Sequence, residues 1–327
     1  MKRKYNIYYF PTNKGMENNT YSNHFITSLS KTNNVVNINA DRKLVTDLFK
    51  YFYANIFILN WTENLAFGRK KWTKAALYIF MLLLCRLCRK KVIWIMHNKY
   101  PHEGHNGLSR LIMKYNAFIS NLVITHSKEG VEYCKQHYYK GVNAIYLPHP
   151  VYPESKSLET QIEFDIIIWG AIKKYKQVLE FLKFYNTCDN LKNYKILLCG
   201  ECQDAGYNED IKTQLSENIY YLNDYVSYID LNAYISTSRN ILFTYNDESV
   251  LSSGALIYSL PFKRKIIAPN KGAFKDLIEL GYVFTYENFD DIFDLLKEDI
   301  TIKEDEANIY IKTNSWDQFV HNIEKYF

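Results

Sequence analysis

The chain of 327 residues has no apolar run long enough to cross a bilayer. Its strongest, AALYIFMLLLC at 75–85, covers eleven positions, against the about 20 that a spanning helix needs. Glycine and proline are scarce, at 12 and 7, which excludes collagen-like and low-complexity chains. Fingerprints are missing too. There is no GxxxxGK[ST], no GxGxxG and no GxSxG, so P-loop nucleotidases, dinucleotide dehydrogenases and serine hydrolases lack their usual signatures. Six cysteines in so long a chain make no disulfide framework and suit a reducing compartment. The CxxC pairs Cys85/Cys88 and Cys199/Cys202 lie over a hundred residues apart, one in an apolar helical run and the other at a strand end, and read as packed thiols rather than a metal or redox centre. The start, MKRKYNIYYFPTNKG, is interrupted by Asn6 and Pro11; it suits a first strand better than a secretory signal.

What is present is the material of a large globular protein. Hydrophobic residues make up 47% and charged residues 23%, enough to bury a core, and the length favours two domains. Forty basic against 35 acidic residues leave a net charge of +5, too mild to point to nucleic acid. Short apolar runs alternate with helical patterns almost throughout, the signature of parallel sheets built from βαβ units. Strands are expected at Tyr5–Phe10, Val35–Ile38, Ile56–Leu59, Val92–Met96, Leu122–Thr125 and Ala144–Leu147, then at Asp165–Trp169, Lys195–Cys199, Ile219–Leu222, Ile241–Thr244 and Lys265–Ala268. The segment PHPVYPESKS at 148–157 reads as a linker. The expected fold is therefore α/β, with two Rossmann-like domains whose parallel sheets face a central cleft. Their boundaries fall at 1–153 and 154–313, followed by a C-terminal helix at 314–327 whose Trp316, Phe319, Val320, Ile323 and Phe327 are spaced to bury one face across the domains.

Charge is unevenly placed. From Asn64 to His102 there are nine Lys or Arg and no Asp or Glu. With the eleven-residue apolar run at its centre, this segment suits peripheral contact with an anionic membrane surface, at about 1 kcal/mol per basic residue close to it; the bland alternative is a helix buried on a sheet with solvated basic ends.

In open parallel sheets ligands lie beyond the carboxyl ends of the strands. The residues following each strand are then His97-Asn98, Ser127, His149, Gly170, Gly200-Glu201 and Tyr245-Asn246. In HNKYPHE (97–103), His97, Asn98, His102 and Glu103 fall within seven residues, where imidazole and carboxylate can orient a hydroxyl or take its proton. In WGAIKKYKQVLEFL (169–182), Gly170 allows close backbone approach to a phosphate and Lys176, on the first helical turn, adds positive charge. Ser252, Ser253 and Gly254 open an apolar helical run whose unpaired amides suit an anion, although Ser253 is also an ordinary helix cap.

Taken in order, NNTYSNHF (18–25), ILNWTEN (58–64), WIMHNKYPHE (94–103), THS (125–127), LPHPVY (147–152), WGAIKKYK (169–176), CGE (199–201), LNDYVSYIDLNAYI (222–235) and SSGALIYSLPFKRKIIAP (252–269) resemble the GT-B-fold glycosyltransferases, close to the retaining family 4 and its relatives in bacterial surface-polysaccharide synthesis. The absence of any DxD removes the metal-bridging device of the other major nucleotide-sugar transferase fold. The resemblance implies a UDP- or GDP-linked sugar donor on the second domain, a lipid-linked or oligosaccharide acceptor on the first, no essential metal or resident cofactor, and work at the inner face of the cytoplasmic membrane. It implies diphosphate contacts from Lys176 and the Ser253–Gly254 helix start, further donor contacts from Gly170, Gly200 and Ser252, a base contact near Tyr225, sugar-hydroxyl contact and catalysis at His97 with Glu103 and Lys176, and acceptor contacts from Asn19, Tyr21, Asn98 and His102. Two departures stand out. Tyr258 occupies the place of the family's second glutamate and Ala171 that of its arginine. They leave open an inverting relative with a carboxylate base such as Glu103 or Glu17, a UDP-sugar epimerase of the same fold, or a non-catalytic glycan- or nucleotide-binding protein.

Overall fold

The computed structural model describes residues 4–12, 19–38, 50–101, 104, 106–245, 250–299 and 302–327. The chain divides into two compact units. The first takes Met1–Pro150, a short segment ending at Ser252, and Asn314–Phe327; the second takes the intervening stretches beginning at Val151 and Ser253.

In the first unit the strands are β1 (Asn6–Phe10), β2 (Asn34–Val35), β3 (Ile56–Asn60), β4 (Lys91–Met96), β5 (Leu122–Thr125) and β6 (Ala144–Tyr146). They form one parallel sheet in the order β2-β1-β3-β4-β5-β6. Successive side chains of a strand point to opposite faces, and both faces here are covered, so the strands read as continuous apolar runs. Tyr8, Phe57, Val92, Trp94 and Val123 pack against Tyr78, Leu82, Ile112 and Ala117 of the helices Lys71–Leu87 and Gly107–Ile119. On the opposite face Tyr9 meets Phe25 of the helix Thr20–Thr32, ring centroids 5.4 Å apart. The C-terminal helix Trp316–Glu324 lies on that same layer. Phe319 packs on Phe25 at 5.1 Å, and Asp317 takes hydrogen bonds from Ser28 (2.8 Å) and Lys31 (2.7 Å).

The second unit holds β7 (Phe164–Trp169), β8 (Ile196–Cys199), β9 (Ile219–Leu222), β10 (Ser238–Leu242), β11 (Lys265–Pro269) and β12 (Val283–Tyr286), parallel in the order β12-β11-β10-β7-β8-β9. Ile166, Ile168, Ile196 and Leu198 face Phe181, Leu182, Tyr207 and Ile292 from the covering helices.

Both sheets reverse direction of growth once, at β1/β3 in the first and at β7/β10 in the second. These switch points are where crevices open at the carboxyl ends of the strands. Strand β12 escapes the sequence pattern, being four residues set directly behind a turn at Gly281. Strand β10 begins at Ser238, earlier than its apolar run suggests, and ends at Leu242.

Candidate active site

The first unit gathers three of the chain's eight histidines at the carboxyl edge of its sheet: His97 after β4, His126 after β5 and His149 beyond β6, all buried. Ring centroids lie 5.5 Å apart for His97 and His126, and 5.0 Å for His126 and His149. Tyr21 stands among them. Its hydroxyl is 2.8 Å from Nε2 of His126, and its ring edges against His97 at 4.8 Å and His149 at 5.1 Å. Trp316 closes on Tyr21 at 5.0 Å and Phe319 on His126 at 5.5 Å, so the C-terminal helix walls the cluster.

Protonation follows from the partners. Nδ1 of His126 faces the carbonyl of Leu147 at 2.9 Å, and Nδ1 of His149 that of Pro150 at 2.8 Å. A carbonyl only accepts, so both Nδ1 atoms carry hydrogen and Tyr21 donates to the bare Nε2 of His126. Asn60, the last residue of β3, donates from Nδ2 to the carbonyl of Phe10 (3.2 Å), which directs its Oδ1 to Nε2 of His97 (3.1 Å). His97 therefore donates through Nε2 and, when neutral, keeps Nδ1 as a hydrogen-bond acceptor and proton base. Burial holds all three in the neutral form: His126 is lowered to about 4 and His149 to about 3, while His97 is pushed well below the usual range by burial and by its two neighbours.

Trp61 fixes His97 from above, its ring stacked at 4.3 Å and 12°. The backbone of Trp61 is left-handed, φ 46° and ψ 33°, a conformation that costs a non-glycine residue about 1–2 kcal/mol.

The second unit builds a cationic counterpart at its own switch point. Gly170 follows β7 with φ 92°, and Gly200 follows β8 with φ 143°. A Cβ on Gly200 would stand 2.3 Å from the Gly170 carbonyl oxygen, so the two strand-end turns meet backbone to backbone. Lys176 is 8% exposed. Its ammonium sits 3.3 Å from the point where a Cβ on Gly170 would lie and 5.2 Å from the ring centre of Tyr245, beyond β10. Among the described residues no carboxylate pairs with it, and burial lowers its pKa. Burying a cation is costly unless an anion pairs with it. The sequence placed Lys176 on the first turn of a helix with a solvated lysine as the default. Instead it ends a short 3-10 turn, Lys174–Lys176, and Gln177 with φ 50° bends the chain before the helix Val178–Thr187 begins. That bend, together with a hydrogen bond from Thr244 Oγ1 to the Lys176 carbonyl, turns the side chain inward.

Ser253 caps the helix Gly254–Ser259, its Oγ accepting from the amide of Leu256 at 3.3 Å, and lies 3.5 Å from the hydroxyl of Tyr245. Gly254 runs so close to Tyr152 that a Cβ would stand 3.1 Å from its hydroxyl. The helix is only six residues long before it tightens at Leu260-Pro261. Tyr258, at the place of the family's glutamate, donates to Asn232 Oδ1 (2.8 Å) and stacks on Tyr228 at 5.4 Å. A packed phenol stands there, without carboxylate chemistry.

Asn19 caps the helix Thr20–Thr32 through its side chain, accepting from Ser22 at 3.0 Å. Asn98 is buried and bridges antiparallel to Val250, within the first unit. The Oγ of Ser252 is buried and has no hydrogen-bond partner among the described residues. Tyr225 stands 70% exposed beyond the edge strand β9. His102, Glu103, Glu17 and Asn246 lie outside the described residues. Sequence reasoning did not single out Asn60, Trp61 or His126 as site residues; the strand-end rule did select His149 and Tyr245. Ser127, also selected, is the cap of the helix Lys128–His137. Among the described residues no group of three or more His, Cys, Asp or Glu is arranged to hold a metal ion.

No protein-family model matches the chain. No curated protein is similar to it in sequence. Solved structures are similar in fold. HepE of Anabaena, crystallised with UDP and glucose, superposes with a TM-score of 0.68 at 9% identity, covering 97% of this chain and 94% of that one. AviGT4, a glycosyltransferase involved in avilamycin A biosynthesis, gives 0.59 at 10%, covering 98% and 97%. TarM of S. aureus, crystallised with fondaparinux, alpha-GlcNAc-glycerol and UDP, gives 0.60 at 14%, covering 83% of this chain and 55% of TarM. At such identities the likeness is one of architecture, and the chain has the two-sheet α/β fold of the GT-B glycosyltransferases.

Proposed function

We propose that the protein is a metal-independent glycosyltransferase that moves a hexose or related sugar from a UDP- or GDP-linked donor to a lipid-linked or oligosaccharide acceptor, in bacterial surface-polysaccharide synthesis at the inner face of the cytoplasmic membrane. The observation that carries this reading is the buried ammonium of Lys176, without a carboxylate partner among the described residues, at the switch point of the second sheet. The crystallisation of HepE and TarM with UDP supports it.

In this reading Lys176 meets the diphosphate, and its charge is worth most when the sugar–phosphate bond breaks and negative charge grows on the departing oxygen. The glycine turns at 170 and 200 let backbone approach the phosphates, and Ser253 with the first amides of its helix adds neutral donors. His97, bound through Nε2 to Asn60, offers Nδ1 to a hydroxyl of the transferred sugar and orients it. Incubation with a panel of nucleotide-sugars tests the proposal. Transfer, or slow hydrolysis without an acceptor, at undiminished rate in EDTA supports it; isomerised sugar would mean an epimerase, and binding without turnover an accessory protein.

A further inference from the structure

The helix Lys71–Leu87 buries Ala75, Tyr78, Met81, Leu82 and Cys85 on the sheet, and these account for only one of its faces. Trp72, Phe80, Leu83 and Leu87 point away from that core and are 66%, 49%, 41% and 78% exposed. With the exposed Ala76 between them, they repeat every three or four residues and form a straight apolar stripe about 22 Å long at 1.5 Å per residue. The stripe continues onto the neighbouring helix Gly107–Ile119. The guanidinium of Arg86 lies over the exposed ring of Phe118 at 5.0 Å, and Phe118 meets the exposed Tyr139 at 6.2 Å. Folded chains rarely expose so much contiguous apolar surface without a partner for it.

Charge identifies the partner. Between Asn64 and Lys128 the sequence has twelve Lys or Arg and a single acid, Glu103. Arg69, Lys71 and Lys74 stand exposed at one end of the stripe, Arg86 and Arg89 at the other, and Arg110 and Lys114 on the neighbouring helix. No helix among the described residues is long and apolar enough to cross a membrane. An apolar stripe rimmed by cations matches the boundary between anionic headgroups and acyl chains, where a helix lies in the plane of the surface.

We propose that this two-helix face of the first unit is a docking surface for an anionic lipid bilayer, with Trp72, Phe80, Leu83 and Leu87 inserted among the acyl chains and the basic rim on the headgroups. The proposal does not depend on glycosyl transfer, because binding is read without any substrate. Native protein is sedimented with phosphatidylcholine vesicles with and without 30% phosphatidylglycerol (roughly the anionic content that charges a leaflet), at low and high salt. Binding should favour the anionic vesicles by more than about tenfold and weaken as salt rises. Replacing Arg69→Gln, Lys71→Gln and Lys74→Gln together should weaken it about 100-fold, at about 1 kcal/mol per residue, and Trp72→Ser, Phe80→Ser and Leu83→Ser together should abolish it. All six positions are exposed, so thermal melting should not change. Brominated lipid should quench native tryptophan emission, and Trp72→Phe should remove that quenching. Equal binding to both vesicles, no binding, or native binding by the variants would overturn the proposal. So would self-association without vesicles that the same apolar substitutions abolish, which would make the face a contact between two copies.

Discussion

The ammonium of Lys176 lies 3.3 Å from the point where a Cβ on Gly170 would stand, so a side chain there would crowd the buried charge and make it give way by a few tenths of an ångström. Gly170 also has φ 92°, which L side chains rarely adopt. Gly170→Ala should therefore do two things at once: destabilise the fold by about 1–2 kcal/mol through strain and push the ammonium out of place. Turnover should fall at least tenfold at temperatures where the variant is fully folded by circular dichroism. Native turnover in a folded Gly170→Ala would mean that Lys176 is not held where the chemistry needs it.

His97→Ala should impair turnover by about 100-fold, the scale of one oriented polar group in a closed site, while nucleoside diphosphate affinity changes little, since His97 belongs to the other unit. Asn60→Leu tests the tautomer. Without its Oδ1, Nε2 of His97 is no longer committed to donate, and turnover should drop with the imidazole still present. Loss of nucleotide binding equal to the loss of turnover would misplace His97.

Stability should have two opposing pH windows. The three histidines have depressed folded values, about 4 for His126, about 3 for His149 and lower than usual for His97, against 6.5 unfolded. Below pH 6.5 the unfolded chain binds protons that the folded one refuses, so their contribution is present above 6.5 and is lost as pH falls toward 4 and 3. Glu63, buried in the turn after Trp61, runs the other way: burial raises it from 4.5 to about 7, so its contribution is present below 4.5 and lost as pH rises through 7. Each proton contributes about 1.4 kcal/mol per pH unit, and three outweigh one, so urea midpoints should fall steeply below pH 6. Glu63→Gln should gain on the native protein as pH rises from 4.5 to 7. A midpoint flat from pH 4 to 7 would contradict the buried neutral cluster.

Trp316 and Phe319 tie the C-terminal helix to Tyr21 and His126. Trp316→Ala should cost about 3–5 kcal/mol as a large-to-small core change and lower turnover in the residual folded protein. A loss under 1 kcal/mol by urea denaturation would show the helix to be dispensable padding.

The alternation of short apolar runs with helical patterns made the two parallel sheets legible, because strands buried on both faces read as continuous apolar runs of four to six residues set between amphipathic helices. The rule that ligands lie beyond strand ends then picked out His97, His149, Gly170, Gly200 and Tyr245. It passed over His126 because it took the next residue, Ser127, after LVITH. The pairing of Tyr21 with His126 spans 105 positions, and nothing local encodes it. Lys176 drew attention for its charge, but its burial did not show: the inward turn depends on Gln177 adopting a left-handed backbone that its side chain disfavours, a choice imposed by packing.

The central claim is that the buried Lys176 ammonium holds a nucleoside diphosphate. Titration calorimetry of the native protein with UDP and with GDP, repeated with Lys176→Met, tests it most directly. The account predicts that at least one nucleotide binds the native chain and that Lys176→Met weakens it more than tenfold, about 1.4 kcal/mol, with thermal stability unchanged or higher because a buried charge has gone. Equal affinity in the two proteins, or no binding of either nucleotide to the folded native chain, would contradict it.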